Sequence, residues 1–527
     1  MAESFLQCRL HKQHTTSTLS RMVRTAVLPA SPARQTATKP LRLLVEPAVV
    51  LSRRSDTTLA EQLTGRYAEL VRQRLLAPGA RLPSVRECAR RHAVSPATVV
   101  SAYDQLLARG LVEARPHRGF FVRATHDEAT RPASETDRAA KAPPRQQVPN
   151  SATALIRGMF QPPGGRPMPG LGTLPAEWLD PEMLAAAMRK ATSTRQVALT
   201  ALQYGDPAGE ARLREALAIK LADHGIAARP GQIVTTVGAT HALDIVTRTL
   251  LHAGDSVLVD EPGWSVEYAR MAALGMRVLP VPRGSDGPDV AAMRRLIEAQ
   301  PPGERPRLYV TVSVLHNPTG VSLGLHAAHQ VLKLAHEHGF HIVEDDTYSH
   351  LAPAHAPRLA ALDALERTIY VSGFSKILTP NWRVGFLAAP PALFDRLVDT
   401  KLLTTLATPS SGELALAHCL EHGWLRRHAD RVRDRLATAR TRTVRLVESH
   451  GCRFGAPPNG LFGWVDTGVD TERLARELLD DWLIAPGTLF HAQPRPSTMM
   501  RINFATSQDP RFWKALVAAR TRLGGAR

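Results

Sequence analysis

The sequence contains few cysteines. Only four occur in 527 residues, namely Cys8, Cys88, Cys419 and Cys452, and no two of them stand at the short spacing of a metal-binding pair. Cysteines this far apart argue against a disulfide framework and against a zinc site, and they are typical of a reducing compartment. We therefore expect no disulfides and no metal.

The chain also lacks long apolar runs. No stretch approaches the roughly 18 consecutive apolar residues that a membrane-spanning helix requires. Hydrophobic residues nevertheless make up 44% of the chain, as in folded proteins, and 527 residues exceed what one core accommodates. We expect at least two domains and no membrane partner.

Acidic residues are scarce in the first part of the chain. None occurs between Glu3 and Glu46, and residues 1–150 hold 24 Lys and Arg against 12 Asp and Glu, which accounts for most of the net charge of +18. Such clustering favours a polyanionic partner, although an arginine-rich, GC-biased proteome is an alternative explanation. For residues 1–55 we expect a basic disordered extension or a misassigned start; a transit peptide is the third interpretation.

Helical periodicity begins after Thr58. Apolar residues recur at intervals of three and four from Leu59 to Leu75, and Pro78 with Gly79 ends the run. The pattern predicts one amphipathic helix.

Two shorter helices and a hairpin follow. The stretch Ser84–Glu87 has the spacing of a capping box and predicts a helix to His92. After a tight turn, Ser95 and Pro96 predict the start of a helix to Arg109, which completes a helix-turn-helix. Two short strands are then predicted on either side of a basic tip that can reach a minor groove, at Leu111–Ala114 and Gly119–Val122.

Residues 58–123 resemble the winged helix-turn-helix of the GntR family, which is mostly α with a β wing. The resemblance rests on Gly79–Glu87, on Val94–Val99 and on the wing. It implies a domain at 56–124 that binds double-stranded DNA through Arg81, Ser84, Arg86, Ser95, Thr98 and Gly119. One departure is Pro96, which stands where the family usually has arginine. Base recognition would then depend more on Arg86 and the wing.

The composition changes again over residues 125–164. Ala, Pro, Thr, Gln and mixed charges replace the apolar periodicity. We expect a flexible linker that lets the two flanking domains pack within one chain or onto a partner.

The rest of the chain alternates strands and helices. Predicted strands are Gln232–Val237, Ser256–Val259, Arg277–Val281, Leu308–Val314, Phe340–Val343 and Thr368–Val371. This rhythm is typical of an α/β domain, whose ligands bind at the ends of the strands.

Polar residues stand at those strand ends. Lys376 follows one strand and Arg383 comes seven residues later; a buried lysine near another cation has a lowered pKa and reacts with aldehydes, and an arginine suits a phosphate ester. After another strand, Asp345 can keep a pyridine nitrogen protonated, while Asn317 and Tyr348 can both reach a phenolic oxygen.

Two more features suit the same ligand. Gly238, Ala239 and Thr240 open a helix and offer backbone amides to a phosphate, and Trp264 can stack on a ring. Taken singly, each residue also has an ordinary structural explanation, for example Asp345 as a helix cap or Trp264 as core.

In this order, the motifs resemble fold-type-I pyridoxal-phosphate aminotransferases of class I/II over about residues 165–527. The resemblance implies Lys376 as the aldimine lysine, Asp345 at the pyridine nitrogen, and Asn317 and Tyr348 at the ring hydroxyl. It implies a phosphate cup formed by Gly238, Ala239, Thr240, Ser375 and Arg383. Tyr204 would reach across a dimer interface, and Arg501 would bind a substrate carboxylate.

A GntR-like domain joined to an aminotransferase-like domain resembles the MocR subfamily of regulators. The resemblance implies a homodimeric transcription regulator that uses pyridoxal 5'-phosphate and senses an amine, an amino acid or the cofactor itself. It also implies a cytoplasmic, nucleoid-associated bacterial protein. The alternative is an active aminotransferase with an accessory DNA-binding domain, since the groups needed for transamination all appear in the sequence. Whether the chain turns over substrate is left open at this point.

Overall fold

The structure, a computed structural model, describes residues 51–52, 55–72, 76, 78–116, 118–123, 167–200, 204–353, 355–493 and 495–524. Residues 1–50 of the predicted basic extension, the predicted linker at 125–164 and the wing-tip residue His117 lie outside these ranges. No helix within the described residues is long and apolar enough to cross a membrane.

The N-terminal domain is a three-helix unit with a hairpin, as predicted. Its helices are α1 (Leu59–Arg72), α2 (Val85–His92) and α3 (Pro96–Ala108). Ser84 and Glu87 form the capping box, and Ser95 caps α3 by accepting a hydrogen bond from the Thr98 amide. Strands β1 (Val112–Arg115) and β2 (Gly119–Val122) pair antiparallel.

This domain has its own core. The side chains of Leu63, Val99, Tyr103, Leu106 and Val112 are fully buried in it. Apolar faces of all three helices and the hairpin meet here, which explains the apolar periodicity after Thr58 that predicted α1.

A large sheet forms the centre of the second domain. Its strands are β3 (Ile233–Thr236), β4 (Ser256–Glu261), β5 (Arg277–Gly284), β6 (Gly287–Pro288), β7 (Leu308–Thr311), β8 (His341–Asp345), β9 (Thr368–Gly373) and β10 (Gly385–Ala388). The order is β3-β10-β9-β8-β7-β4-β5-β6. The strands from β9 to β5 run parallel, and β10 is antiparallel to both β3 and β9.

Helices surround this sheet. They are α4 (Pro181–Ala191), α5 (Thr194–Thr200), α6 (Ala211–Ala222), α7 (Ala239–Leu250), α8 (Ser265–Ala273), α9 (Val290–Glu298), α10 (Leu325–His338), α11 (Leu359–Leu362), α12 (Phe394–Thr405) and α13 (Ser410–Glu421). Buried Val and Ile residues of the central strands pack between them, which produces the nearly continuous apolar strands that the sequence shows.

A smaller sheet follows a long helix, α14 (Trp424–Ser449). Its strands are β11 (Arg453–Phe454), β12 (Phe462–Asp466), β13 (Ala485–Pro486) and β14 (Met499–Asn503), in the antiparallel order β11-β12-β14-β13. Helices α15 (Thr471–Leu478) and α16 (Pro510–Arg522) accompany it. The sequence analysis had assigned neither this sheet nor β10, because these short strands lack a distinct periodicity.

Candidate functional site

Lys376 lies three residues beyond the end of β9, as the motif predicts. Burial, together with the positive charge of Arg501, lowers the pKa of its ammonium group from 10.5 to about 8. A larger fraction of this lysine is therefore neutral and nucleophilic at neutral pH than of an ordinary surface lysine.

Asp345 is the last residue of β8, the strand beside β9. Its Oδ1 accepts a hydrogen bond of 3.0 Å from the Thr347 amide and another from the Thr347 hydroxyl. Burial nevertheless raises the pKa of this carboxyl group to about 6. A positively charged partner, such as a protonated ring nitrogen, would favour its ionised form.

Asn317 and Tyr348 lie close to each other in the structure. Asn317 stands in the loop after β7, and its side chain contacts the Tyr348 hydroxyl. Both side chains are buried, and the Tyr348 ring meets that of Phe462 edge to face at 5.4 Å between centroids. Burial raises the pKa of the Tyr348 hydroxyl, so it is a hydrogen-bond donor at physiological pH.

Arg501 lies in the middle of β14 and is almost completely buried. Its Nη1 donates to Asn317 Oδ1 at 2.9 Å, and its Nη2 donates to the Gly170 carbonyl oxygen at 2.7 Å. Its Nε is buried and has no hydrogen-bond partner among the described residues. Burial lowers the pKa of this guanidinium to about 10, so it stays charged and available to an anion.

Aromatic rings surround this guanidinium. The Arg501 Cζ atom lies 4.5 Å from the ring centroid of Phe462, 5.0 Å from that of Phe490 and 5.8 Å from that of Trp264. Ring faces stabilise a cation while excluding water, and a desolvated cation binds a carboxylate more strongly. Trp264, predicted as a ring-stacking residue, thus lies at this end of the site and packs against the same small-sheet cluster.

The residues predicted to bind the phosphate lie where β3, α7 and β10 meet. Gly238 caps α7 with φ of 78°, a left-handed conformation that favours glycine. Arg383 Nη2 donates to the Val237 carbonyl oxygen at 3.0 Å, and a Cβ atom at Gly238 would stand only 2.6 Å from that Nη2. This arrangement leaves amides at the start of a helix beside a guanidinium, which is a favourable environment for a phosphate.

The other predicted members of the cup are close in sequence to these. Ala239 and Thr240 form the first turn of α7, with Thr240 exposed, and Ser375 is partly exposed next to Lys376. Tyr204 is different: its side chain is 86% exposed, so it makes no enclosed site within one chain.

Gly172 was missed by the sequence analysis. A Cβ atom on this residue would lie 3.7 Å from Arg501 Nη2 and 3.7 Å from Lys376 Nζ, so its backbone passes between the two cationic groups. Phe462 and Phe490 were missed as well. A glycine in an irregular segment and scattered aromatics carry no periodic signal, and only the fold brings them to Arg501.

The predicted DNA-contacting residues lie before and at the starts of α2 and α3 and at the start of β2. Arg81, Ser84, Arg86 and Ser95 are exposed. Gly119 has φ of 99°, and a Cβ atom there would lie 3.4 Å from Arg81 Nε, so the wing approaches Arg81 closely. The hydroxyls of Ser95 and Thr98 lie 2.8 Å apart at the start of α3.

The site residues fit pyridoxal phosphate. A buried carboxyl group with a raised pKa, a lysine with a lowered pKa and a helix start beside an arginine match the ring nitrogen, the aldehyde and the phosphate of this cofactor.

Comparisons with known proteins agree with this chemistry. The family "Aminotransferase class I and II" matches residues 176–517, and "Bacterial regulatory proteins, gntR family" matches residues 59–122. The 2-aminoadipate transaminase of Thermus thermophilus is 32% identical over 346 residues, which cover 64% of this chain and 84% of that protein.

A second relative spans both domains. The HTH-type transcriptional regulator YisV of Bacillus subtilis is 26% identical over 470 residues, or 87% of this chain and 95% of that protein. Among solved structures, LysN of Thermus thermophilus, an alpha-aminoadipate aminotransferase complexed with N-(5'-phosphopyridoxyl)-L-leucine, superimposes with a TM-score of 0.63 at 28% identity. It covers 70% of this chain and 94% of its own.

These matches confirm the expected fold, domain pairing and cofactor. The chain therefore belongs to the class I and II aminotransferase family, uses pyridoxal phosphate, and carries a GntR-family DNA-binding domain, which together form the architecture of the MocR transcription regulators.

Proposed function

We propose that this regulator changes its DNA binding when a small amine or amino acid enters the cofactor site. The observation that carries the proposal is Arg501, a buried guanidinium with an unpartnered Nε among the described residues, beside a lysine whose pKa is about 8. Together these groups provide one site for a carboxylate and another for amine chemistry. An amine without a carboxylate, or pyridoxal phosphate itself, would use only the second.

We propose a role in the site for each of these residues. Pyridoxal phosphate supplies an aldehyde that reacts reversibly with amines and a ring that accepts electron density. Lys376 would supply the amine that holds it, and Asp345 would keep the ring nitrogen protonated. Asn317 and Tyr348 would bind the ring hydroxyl, and Trp264 would contact the ring. The phosphate would be bound by Gly238, Ala239, Thr240, Ser375 and Arg383.

Arg501 would bind the carboxylate of an incoming amino acid and so place its amine beside Lys376. The Lys376 Nζ, with a pKa of about 8, would be able to accept the proton that the incoming ammonium group gives up. The effector acts as a switch only if it favours one arrangement of the winged helices over another, because a ligand with equal affinity for both arrangements shifts nothing. We propose that residues 56–124 bind double-stranded DNA in the cytoplasm through Arg81, Ser84, Arg86, Ser95, Thr98 and Gly119, and that residues 165–527 sense the effector.

A homodimer is part of the proposal. Tyr204 and Leu403 are 86% and 90% exposed, and Leu406 is 53% exposed. The Tyr204 loop runs beside the end of α12, since a Cβ atom at Gly205 would lie 3.9 Å from the Ala407 Cβ. An exposed apolar patch of this kind favours an interface between copies of the chain, across which Tyr204 would reach.

Leu403→Glu tests the dimer. A charge in an apolar interface is expected to shift the chain towards monomers. Cofactor retention should weaken as well, since Tyr204 of one subunit would no longer reach the other subunit. The measurement is sedimentation velocity beside Leu362→Glu, a substitution at another exposed leucine, 49% exposed, in α11. Unchanged dimers in Leu403→Glu, or a wild type that is monomeric, would contradict this interface.

An active aminotransferase is the second candidate, because Lys376, Asp345 and Arg501 all occupy suitable places. Absorbance spectra between about 300 and 500 nm separate the two functions. Wild type and Lys376→Ala would be titrated with a panel of amino acids and amines, and products would be followed by chromatography. A lysine-dependent band that shifts and stays shifted supports the sensor. Conversion to pyridoxamine phosphate and a keto acid supports the enzyme.

The same samples test the regulatory step. Fluorescence anisotropy with a labelled fragment of the DNA adjoining the chain's own coding region would be recorded with and without the effector that shifts the band. An effector that shifts the band and changes the DNA affinity supports the proposal. A band shift with no change in DNA affinity refutes it. Absence of any band with added pyridoxal phosphate would refute the cofactor-dependent mechanism.

A further inference from the structure

A second cavity, of about 910 Å³, lies outside the residues assigned to the cofactor. Its walls come from α6, from the turn Ser349–Leu351 that follows Tyr348, and from the segment joining α13 to α14. A volume of this size accommodates a small metabolite. Nothing in the proposed function uses it.

Cationic and imidazole groups gather at one wall of this cavity. Lys220 Nζ in α6 lies 3.5 Å from His224 Nε2. His350 is 5% exposed, and its backbone oxygen accepts a hydrogen bond of 3.0 Å from Arg433 Nη1 in α14. We call Lys220, His224, His350 and Arg433 the basic wall.

The positive groups of the basic wall act mainly on His350, although Arg433 itself pairs with Asp430. Burial lowers the pKa of His350 well below 6.5, and Lys220, His224, Arg358 and Arg433 lower it further. Burial also lowers the pKa of the Lys220 ammonium, despite the carboxylate of Asp223. An added anion would stabilise the charged forms of His350 and Lys220, whose pKa values are both lowered here.

Several acidic side chains near the basic wall already have partners. Glu421 accepts from Arg212 Nε at 2.6 Å, Asp430 pairs with Arg433, and Asp346 pairs with Arg358 at 2.6 Å between buried atoms. The remaining acids of the lining, Glu215 and Asp223, are exposed. The imidazole of His350 belongs to a residue that is more than nine-tenths buried, and its ring packs against that of Phe374.

We propose that this cavity is a second ligand site, which binds a small organic anion with a carboxylate or phosphate group against Lys220, His224, His350 and Arg433. A compact anion would accept charge-assisted hydrogen bonds from Lys220 and Arg433, and the imidazoles would add donors once it is bound.

The site is connected to the cofactor site through the backbone and one ring contact. His350 comes two residues after Tyr348, and its ring centroid lies 5.1 Å from that of Phe374, which comes two residues before Lys376. An anion held by His350 therefore acts on the segments that place Tyr348 and Lys376. The second ligand would change the positions of these two residues without entering the cofactor site.

Isothermal titration of the full-length, pyridoxal-phosphate-loaded protein tests the inference. Loading the cofactor keeps the probe out of the phosphate cup. The probes are inorganic phosphate and malonate, at matched ionic strength, and each would also be followed by the visible absorbance of the cofactor. We expect one of them to bind and to shift the band with the same dissociation constant.

Lys220→Met removes one charge from the basic wall, and His350→Asn is a second variant that avoids a large change in packing. Loss of one charge-assisted hydrogen bond should weaken binding by roughly tenfold or more. Lys333→Met, in the exposed part of α10, is the matched control and should bind as wild type does.

Each outcome decides the matter. Phosphate binding alone identifies a phosphate ester as the ligand class, and malonate binding alone identifies a carboxylate. Equal affinity in wild type, Lys220→Met and His350→Asn would place the anion elsewhere, for example on the winged helix, and would overturn the proposal. So would absence of binding by both probes at millimolar concentration, or binding without a shift of the band.

Discussion

Arg66 in α1 donates two hydrogen bonds to Asp480, at 2.9 Å to its backbone oxygen and at 3.0 Å to its Oδ1. Arg91 in α2 lies 3.5 Å from both Asp480 Oδ2 and Glu477 Oε1. Leu479 packs against the core of the winged helix. The DNA-binding domain thus contacts the end of α15 through ion pairs and an apolar side chain.

Helix α15 also contacts the strand that carries Arg501. The Thr471 hydroxyl, in the first turn of α15, donates to the Met499 carbonyl oxygen at 2.8 Å. Ala485 of β13 pairs directly with Arg501. A carboxylate that binds Arg501 therefore acts on the same packed unit to which the winged helix is attached, and the ion pairs at Asp480 are the connection between them.

We predict that Asp480→Ala uncouples DNA binding from the effector. Removing the carboxylate weakens the attachment of Arg66 and Arg91 to the segment that follows α15. A movement of α15 is then transmitted less effectively to the winged helix. Couplings between sites are typically about 1–3 kcal/mol, and we expect the ratio of DNA affinities with and without effector to fall severalfold towards one. Fluorescence anisotropy with labelled DNA measures this ratio.

Asp481→Ala is the control, because Asp481 is exposed and adjacent to Asp480 in sequence but belongs to none of these ion pairs. Both variants should keep the lysine-dependent absorbance band. An unchanged effector response in Asp480→Ala would show that the contact does not transmit the signal.

Arg501→Met should abolish recognition of carboxylates while sparing that of simple amines. The substitution keeps an unbranched side chain among the surrounding aromatic rings but removes the charge. A charge-assisted bidentate interaction contributes about 1.5–3 kcal/mol, so affinity for an amino acid should fall roughly ten- to hundredfold. Spectroscopic titration of the variant with an amino acid, and separately with the amine formed by its decarboxylation, measures both affinities.

The amine serves as the internal control in that experiment, because it cannot use Arg501. An equal loss of affinity for both ligands would mean that Arg501 supports the fold of the site and does not bind the carboxylate. Asn317, which accepts from Arg501, would then have been displaced as well.

Most of the residues that we assign to the cofactor could be selected from the sequence because each stands next to a strong local signal. Lys376 and Asp345 follow apolar strands, and Gly238 stands between a strand and a helix. The capping box at Ser84 likewise fixed the start of α2. These signals are local, so a single sequence contains them.

The rest depends on contacts between distant segments. Gly172 lies beside Lys376 and Arg501 only because the chain folds back across the site. The pairing of Arg66 with Asp480 joins residues 414 positions apart. Neither has a spacing or a periodicity that distinguishes it from an ordinary glycine or a solvated arginine.

Lys376 gives a prediction about pH. With a pKa of about 8, roughly a tenth of its side chains are neutral at pH 7, against fewer than about one in a thousand for an ordinary lysine. Since only the neutral amine attacks an aldehyde, pyridoxal phosphate should bind the cofactor-free chain faster as pH rises, and the rate should level off above about pH 8. Stopped-flow absorbance measures this rate.

Arg501→Met provides the comparison for this profile. The Arg501 guanidinium is the second cause of the lowered pKa after burial, so removing it should move the midpoint to higher pH. A midpoint near 10.5 in the wild type would contradict the lowered pKa of Lys376.

Arg86→Ala is expected to weaken DNA binding and to reveal what kind of interaction this exposed residue makes. If Arg86 binds a phosphate, the substitution lowers affinity for all sequences alike and reduces the slope of log affinity against log salt by about one unit. If Arg86 binds a base, the substitution instead costs about 1–3 kcal/mol at one operator position and relaxes specificity there. Because Pro96 replaces the usual arginine of the recognition helix, we expect the second result.

The salt dependence and the base preference separate these two roles of Arg86. Binding would be measured over a salt series with the operator and with single-base variants of it, beside Arg445→Ala, a control in α14 of the other domain. The control should bind DNA as wild type does, because it removes the same charge from a helix that does not belong to the winged-helix domain. Wild-type affinity and salt slope in Arg86→Ala would mean that α2 does not contact DNA, and base recognition would then rest on α3 and the wing.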